Sequence, residues 1–434
     1  MATPVPPQSP MAEPPKGADL SRLLLLSVLI GVLAAIAASL FQQFVSLGQE
    51  FFFRDLPERF GLSGAPWWWA AIMLAVGAGV VALAQRMKGG TGEGPLTGFH
   101  FNVPPDVAPS VLIASLGTLI FGFALGPEAP LIVLGTTVGA LVARRASPEV
   151  RKAAMFLGGA AAIGAVFGNP FVTGFMILEF AAMGAVPSMM VLPAFVALAS
   201  GYLVQIGIWG LPGFGSHSLA VPGLPAYDSI VFGDLLSGAI VAVIAGVVAV
   251  VARKSGVRFS QFTQPRPVVG LFVAALITAT VLFVAETFFD IGVEEILFSG
   301  NSGMASLVQE TSVMAIVIIV IGKGIVYSVA LGGGLRGGPI FPATFLGVGV
   351  GVLVFVLLPF SSLSPLVAVG IAASAAAMIK MPATSALLAA LLVAGAGAAI
   401  APFAILGAVI GFLIRMAADD PRVRVRAPRV TMSK

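Results

Sequence analysis

One carboxylate stands in an unusual place for an ionisable side chain. Glu128 lies between Gly126 and Pro130 in the stretch GPEAP, and the sequence around this stretch is apolar. An acid inside a membrane is costly and usually functional. Beside helix N-termini such a carboxylate could itself occupy an anion site. Protonation would release the side chain from that site and open the path of the anion. The alternative is a structural salt bridge, for example with Arg336 or Lys380.

Three stretches rich in glycine and proline interrupt the apolar sequence, at Gly89–Pro95 (GGTGEGP), Gly126–Pro130 and Gly332–Pro342 (GGGLRGGPIFP). Proline breaks a helix interior, and glycine lets a ligand approach the backbone. In lipid, such irregular backbone is tolerated only inside the protein or beside a watery cavity. The last two stretches run directly into apolar segments, so we expect each to begin a helix whose free N–H groups attract anions. Close packing between helices is the alternative interpretation.

The residue types that most enzymes use are scarce in this chain. It has no cysteine, and its two histidines, His100 and His217, are far apart. These counts exclude disulfides, thiolate metal sites and cysteine catalysis, and we expect no metal and no cofactor beyond a transported anion. A membrane-embedded enzyme would need a catalytic pair that the sequence does not offer. A scaffold or receptor would have no use for a costly Glu128, so we expect a transporter and not an enzyme.

The composition indicates whether the elements that position these residues lie in water or in lipid. Hydrophobic residues make up 58% of the 434 positions and charged residues only 10%, whereas a soluble domain carries about 25% charged residues. A spanning helix needs roughly 20 mostly apolar residues, so the sequence predicts an all-α polytopic membrane protein. The clearest predicted spans are Leu23–Leu40, Trp67–Leu83, Met189–Ile208, Ile230–Val251, Val268–Val284, Val313–Leu331 and Ala383–Ala399.

The distribution of charge and proline sets the expected domain limits. Residues 1–19 contain six prolines and predict a disordered tail, residues 20–416 form the transmembrane domain, and residues 417–434 form a basic tail. The net charge of +4 comes with Arg and Lys in short loops at the ends of apolar runs. This is the positive-inside pattern of a membrane protein and not a nucleic-acid surface. We expect the cell (inner) membrane, with both termini cytoplasmic.

The chain repeats itself at an offset of 212 residues, which predicts two halves at about 20–212 and 230–416. Transporters are often built from such repeats, with the site where the halves meet. The spacing alone leaves open whether the repeat is parallel or inverted. The matching pairs are Gly122 with Gly334, Gly126 with Gly338, Pro127 with Pro339, Pro130 with Pro342, Gly135 with Gly347, Gly139 with Gly351, and Pro170 with Pro382.

Taken in order, Gly90–Pro95, Gly126–Pro130 and Gly338–Pro342 resemble the three anion-site motifs of the CLC family of chloride channels and chloride/proton antiporters. Those motifs are G-S-G-I-P, G-R/K-E-G-x-P and G-x-F-x-P. The segments GNPFVTGFMILEF and KMPATSALLAALL look like two further family stretches, and the resemblance runs from about residue 20 to 415. It implies a homodimer with one pore per subunit, and a CLC-like inverted repeat of tilted, partly broken helices.

The resemblance also implies roles for single residues. Glu128 is similar to the external gating glutamate, and Thr91 to the central serine whose hydroxyl coordinates chloride. Backbone N–H groups near Ala129, Ile340 and Phe341 would complete the site. The full set of implied anion-binding residues is Thr91, Gly92, Gly126, Ala129, Gly338, Ile340 and Phe341.

Several positions of this sequence differ from the family motifs. Pro127 replaces a basic residue, Ala129 replaces a glycine, and Pro339 stands where the family has a backbone donor. The family's inner tyrosine has no counterpart within Arg415–Arg429. Tyr327 is on a different segment, and the resemblance does not carry that role to it.

In the stretch that resembles the family's, the internal proton-transfer glutamate aligns with Phe180, and Glu179 lies one position earlier. A phenylalanine cannot carry protons, so either Glu179 is the proton route or coupling to protons is weak or absent. The sequence therefore favours a channel or a weakly coupled carrier of chloride or similar anions. A chloride/proton antiporter is the alternative, and a fluoride exporter ranks below it. Glu179 can equally be a structural acid that caps or pairs within the helix bundle.

Overall fold

The computed structural model describes residues 17–88, 90–211 and 220–420, and within these ranges the chain is nearly all helical. The first helix begins at Gly17 and the last ends at Asp419. The helical domain therefore extends slightly beyond both predicted limits. The remainder of each predicted tail, residues 1–16 and 421–434, lies outside the described residues.

The described residues of the first half form eight α-helices, joined by loops and by a π-helical turn at Phe51–Asp55 and a 3₁₀ turn at Ser188–Met190. In chain order they are α1 Gly17–Glu50, α2 Leu56–Arg59, α3 Trp67–Ala84, α4 Ala108–Leu119, α5 Glu128–Val142, α6 Pro148–Phe167, α7 Pro170–Ala182 and α8 Val191–Trp209.

Residues 220–420 of the second half form nine α-helices, with 3₁₀ turns at Ala394–Ala396 and Ala398–Ile400. They are α9 Phe232–Thr263, α10 Pro267–Phe289, α11 Val293–Ile296, α12 Met304–Gln309, α13 Val313–Gly332, α14 Ile340–Leu357, α15 Leu363–Ile379, α16 Pro382–Leu392 and α17 Ala401–Asp419.

Many of these helices have the length and composition of membrane spans. In the described part of the chain nine helical segments qualify, and five shorter apolar helices (α4, α5, α7, α15 and α16) lie among them. A helix rises 1.5 Å per residue, so helices of 11 to 17 residues cross only part of an apolar layer about 30 Å thick. The chain is a multi-pass membrane protein with broken helices, as the sequence predicts.

One predicted span is wrong. Ala383–Ala399 is not a single helix, because α16 ends at Leu392 and two 3₁₀ turns follow it. Between these turns Gly397 has φ +107, a conformation that ends a helix and that only glycine adopts readily. The spanning segment is the next one, at Ala398–Asp419.

The two halves are related by a two-fold arrangement. Gly126 and Gly338, which are repeat mates, form an isolated antiparallel pair. Equivalent residues that pair in opposite directions are related by a local two-fold axis. Helix packing is alike in the two halves: Gly135 lies against the backbone of Gly158 in the first half, and Gly347 lies against Gly370 in the second. These contacts agree with the inverted repeat that the family resemblance implies.

Helices α14 and α15 form the centre of the molecule. Nearly every residue of α15 is buried, and α9, α14, α16 and α17 pack around it. In α14, all residues from Ile340 to Val352 are buried. The first residues of α14, which follow the third glycine- and proline-rich stretch, are therefore buried within the protein.

Candidate functional site

Glu128 is the first residue of α5, and its side chain reaches the first residues of α14. The side chain is fully buried. Its Oε1 accepts hydrogen bonds from the backbone N–H groups of Ile340, at 3.0 Å, and Phe341, at 3.1 Å. The first N–H groups of a helix have no partner within the helix and carry partial positive charge. A carboxylate from one half thus occupies the anion-attracting helix end of the other half.

The second carboxylate oxygen has no hydrogen-bond donor among the described residues. It packs against Gly126 and Gly338, where any added Cβ would overlap it. Glycine is needed at both positions because the carboxylate fills the space of a side chain. A buried acceptor left without a donor costs about 1–3 kcal/mol. In the described structure only one of the two carboxylate oxygens accepts hydrogen bonds that hold the side chain.

Gly126 and Gly338, two of the implied anion-binding residues, use their N–H groups to bond to each other. The N–H of Gly126 donates to the carbonyl of Gly338 at 2.8 Å, and the N–H of Gly338 donates to the carbonyl of Gly126 at 2.6 Å. Both donors are consumed in holding the two halves together. The N–H groups offered to a carboxylate or an anion are those of Ile340 and Phe341.

The salt-bridge alternative for Glu128 is wrong. The guanidinium of Arg336 donates to four carbonyl oxygens and not to Glu128. Lys380 forms its ion pair with Asp419, with 2.5 Å between Nζ and Oδ2. The hydrogen bonds to Glu128 come from backbone N–H groups, and no cation among the described residues holds the carboxylate in place.

Arg336 instead anchors the first glycine-rich stretch. Its Nε donates to the carbonyl of Thr91 at 2.6 Å, and its Nη2 donates to the carbonyl of Gly92 at 2.9 Å. Gly90 and Gly92 on either side of Thr91 both have positive φ, +62 and +69, so this loop adopts a backbone shape that suits glycine. The loop is thereby fixed to a residue only two positions before Gly338.

The first stretch does not begin a helix, unlike the other two. After Gly90–Pro95 the chain continues as loop until α4 starts at Ala108. The Thr91 side chain is buried, but the described contacts connect its backbone, not its hydroxyl, to the site. Ala129 and Pro130, at the start of α5, line a cavity of about 480 Å³ together with Gly92, Gly94 and Arg336.

Tyr327 is a site residue that the sequence did not identify. It is fully buried in α13, and its hydroxyl donates to the carbonyl of Pro339 at 2.5 Å. Its charged neighbours are Glu128 and Arg253. Buried tyrosines usually need a hydroxyl partner, and the chain has only three tyrosines. That scarcity was the one available signal, because the partner lies across a break in the helix.

Glu179 caps a helix. Its Oε1 accepts from the N–H of Ala383 at 2.9 Å, and its Oε2 accepts from the N–H of Thr384 at 2.8 Å and from the Thr384 hydroxyl. These donors lie in the first turn of α16, where a carboxylate is stabilised by the helix end. The adjacent Phe180 lines a second cavity of about 370 Å³, together with Arg253, Pro339, Lys380 and Arg415.

The sequence of the chain is similar to a known protein family and to curated relatives. Residues 91–416 match the family described as voltage gated chloride channel. Among curated proteins, the chain is 28% identical over 355 residues to "Putative ion-transport protein YfeO" of Shigella boydii serotype 4 and of Escherichia coli O6:H1, covering 78% of this chain and 80% of each relative.

Solved structures of related fold include a slow cyanobacterial Cl⁻/H⁺ antiporter, with a TM-score of 0.74 at 15% identity, covering 92% of this chain and 95% of that one. A CLC-type fluoride/proton antiporter has a TM-score of 0.69 at 16% identity and covers 93% of this chain and 98% of that one. At sequence identities of 15% and 16%, this similarity is evidence for a shared fold alone.

Proposed function

This chain belongs to the voltage-gated chloride channel family, whose members transport anions, and we propose that Glu128 gates the passage of chloride or a similar small anion through it. One observation carries this proposal. The Glu128 carboxylate lies on the N–H groups of Ile340 and Phe341, as an inorganic anion would. The gate is therefore a competitor of the transported ion for the same donors.

Protonation supplies the opening step. A neutral carboxyl group is a weaker acceptor than a carboxylate, since charge-assisted hydrogen bonds are roughly twice as strong as neutral ones. Once protonated, the Glu128 side chain leaves Ile340 and Phe341, and an anion takes its place. Backbone donors without a full positive charge hold the anion weakly, and weak holding lets the anion leave again.

The surroundings of Phe180 and Glu179 support weak or absent proton coupling. Phe180 has no proton to exchange, and both oxygens of Glu179 are engaged in capping α16. These contacts support a channel or a weakly coupled carrier. The runner-up is a proton-coupled antiporter, the activity named for the cyanobacterial and fluoride/proton neighbours. Fluoride as the transported anion ranks below chloride.

The assembly and the orientation are further parts of the proposal. The family resemblance supports a homodimer with one pore per subunit, for which light scattering in detergent should give twice the 44.1 kDa of one chain. Basic residues such as Arg144, Arg145 and Arg151 at helix ends support a cell (inner) membrane protein with cytoplasmic termini.

The deciding experiment measures chloride efflux from proteoliposomes while external pH is recorded. We expect chloride flux with little or no proton movement. Chloride flux that drives protons uphill would make the chain an antiporter and return Glu179 to consideration as the proton route. Absence of chloride flux would contradict the choice of ion, and the same vesicles would then be loaded with fluoride.

A further inference from the structure

Lys323 is a buried basic residue that the proposed gating step does not use. It lies near the middle of the apolar helix α13, and its side chain is fully buried. An ionisable side chain inside a membrane is costly and is usually paired and functional. The first half does not repeat it, because the residue 212 positions earlier is Val111. Lys323 is therefore not a requirement of the helix packing that the two halves share.

The amino group of Lys323 holds the turn that follows α11. Its Nζ donates to the carbonyls of Leu297, at 2.5 Å, and Phe298, at 3.0 Å. It also lies 4.7 Å from the centroid of the Phe345 ring in α14, and a cation is attracted to an aromatic face. An ammonium group has three donors, so two carbonyls and one ring account for all of them. The charged neighbour of Lys323 is Glu295 of α11.

Phe298 has an uncommon backbone conformation for a residue with a side chain, with φ +59. Its carbonyl accepts from Lys323, its N–H donates to the carbonyl of Gly122 at 3.0 Å, and its ring packs edge-on against Phe53 with 4.9 Å between centroids. Such conformations persist only where the surroundings hold them, and they cluster at clamps and switch regions. The Lys323 hydrogen bond is one of the contacts that hold this turn.

The same turn supports the chain segment that leads to Glu128. Gly122, whose carbonyl accepts from Phe298, lies six positions before Glu128, and the residues that follow it up to the second glycine- and proline-rich stretch are buried. A Cβ at Gly122, which has φ +96, would come within 3.1 Å of the Leu297 side chain. The segment and the turn are therefore packed closely enough for a displacement of one to move the other.

We propose that Lys323 is a positioning residue for the gate, which sets the place of Glu128 relative to the donors at the start of α14. It acts on the Glu128 segment through the turn after α11, and on α14 through the ring of Phe345. The proposal rests on the proposed function, since the place of the carboxylate matters for transport only if the carboxylate is the gate. Without Lys323 the turn relaxes, and the carboxylate meets the N–H groups of Ile340 and Phe341 less well.

The test measures chloride efflux across an external pH series for Lys323→Met, alone and combined with Glu128→Gln. Methionine keeps most of the volume and removes both hydrogen bonds. Alone, it should raise the external pH at half-maximal flux by about one unit, a tenfold change in proton concentration that corresponds to about 1.4 kcal/mol, because fewer protons release a weakly held carboxylate. Added to Glu128→Gln, it should change the flux little, since residues that act through one another are not additive.

Three further variants complete the design. Lys323→Arg keeps the charge and the donors, so its pH curve should stay near that of the parent. Gln205→Met removes a different buried donor, from Nε2 to the carbonyl of Ala165 at 2.6 Å, and should not move the pH of half-maximal flux. Size-exclusion chromatography verifies folding. Where Lys323→Met does not fold, Phe53→Leu loosens the same turn by removing the ring beside Phe298, and should shift the curve in the same direction.

Hydrogen exchange separates this proposal from the proposed function. In Lys323→Met, amide exchange at residues 122–126 should be about tenfold faster than in the parent, which corresponds to about 1.4 kcal/mol. A parent whose flux does not respond to external pH would overturn the proposed gate, and exchange would then still decide whether Lys323 positions the segment. Unchanged exchange would overturn the proposal. So would a Lys323→Met pH curve equal to the parent's, or an equal effect on flux with and without Glu128→Gln.

Discussion

At the scale of the residue, the proposed function depends on one carboxylate and the donors it occupies. Glu128 is buried without a cationic partner, one of its oxygens accepts from two N–H groups, and the other has no described donor. A carboxylate in a structural role would be paired and fully hydrogen-bonded, because burying an unpaired charge is costly. A side chain that has to leave its site during the proposed transport cycle is held by few hydrogen bonds, as Glu128 is.

Replacing Glu128 by glutamine should abolish the response of anion flux to external pH. In the parent, flux should rise as external pH falls, because protonation neutralises the carboxylate and weakens its bonds to Ile340 and Phe341. The amide that replaces the carboxylate is neutral at every pH, so the variant's flux should be high and flat. Chloride efflux measured across an external pH series tests this. A variant with the parent's full pH response would show that Glu128 is not the gate.

Replacing Tyr327 by Phe should destabilise the protein by about 1 kcal/mol, because the carbonyl of Pro339 loses its buried donor. Thermal unfolding in detergent measures the change. Tyr202→Phe is the matched control, since no hydrogen bond from its hydroxyl is found in the described part of the chain. Equal unfolding midpoints for the two variants would indicate that the Pro339 contact does not contribute to stability.

At the scale of the element, helix starts are what bring the site together. α5 begins at Glu128 and α14 at Ile340, and each has a proline in its first turn, Pro130 and Pro342. Proline is tolerated there because its missing N–H would have had no helical partner. The loop at Thr91 has no helix of its own to orient it, so its position depends on the hydrogen bonds from Arg336.

Replacing Arg336 by Lys should loosen this loop. Lysine keeps the charge but cannot reproduce the fork that reaches Thr91 and Gly92 together. Amide hydrogen exchange across residues 90–99 should therefore accelerate about tenfold, which corresponds to about 1.4 kcal/mol. Arg258→Lys, at an exposed position of α9, is the control and should not change exchange in the loop. Unchanged exchange in the Arg336 variant would contradict the anchoring role.

At the scale of the whole molecule, the inverted repeat makes two distant segments into one site. Gly126 and Gly338 pair through reciprocal hydrogen bonds, which places Glu128 of one half on the helix end of the other. The same symmetry governs packing, since α5 contacts α6 through Gly135 and Gly158, and α14 contacts α15 through Gly347 and Gly370. Close backbone contact between helices in a membrane requires small residues.

The symmetry predicts equal effects at equivalent positions. Gly135→Ala and Gly347→Ala should each destabilise the protein by about 1–3 kcal/mol, because a methyl group overpacks a helix crossing. Gly79→Ala is the control, since an added Cβ at that position of α3 meets open space. Unfolding midpoints in detergent measure all three. A large loss at one crossing and none at the other would contradict equivalent packing in the two halves.

Local signals in the sequence determined the helical membrane fold, the helix starts that follow the second and third glycine- and proline-rich stretches, the repeat at an offset of 212 residues and the place of Glu128 at one of these helix starts. Apolar run length, proline and glycine carry this information because each acts on its own stretch of chain. The tertiary structure decided that the N–H groups of Ile340 and Phe341, and not those of Gly126 and Gly338, face the carboxylate. It also decided the contact of Tyr327 with Pro339 and the gathering of Arg253, Lys380 and Arg415 around one cavity. These residues come from separate helices, so their meeting depends on how the helices pack, and no local pattern of residues records that packing.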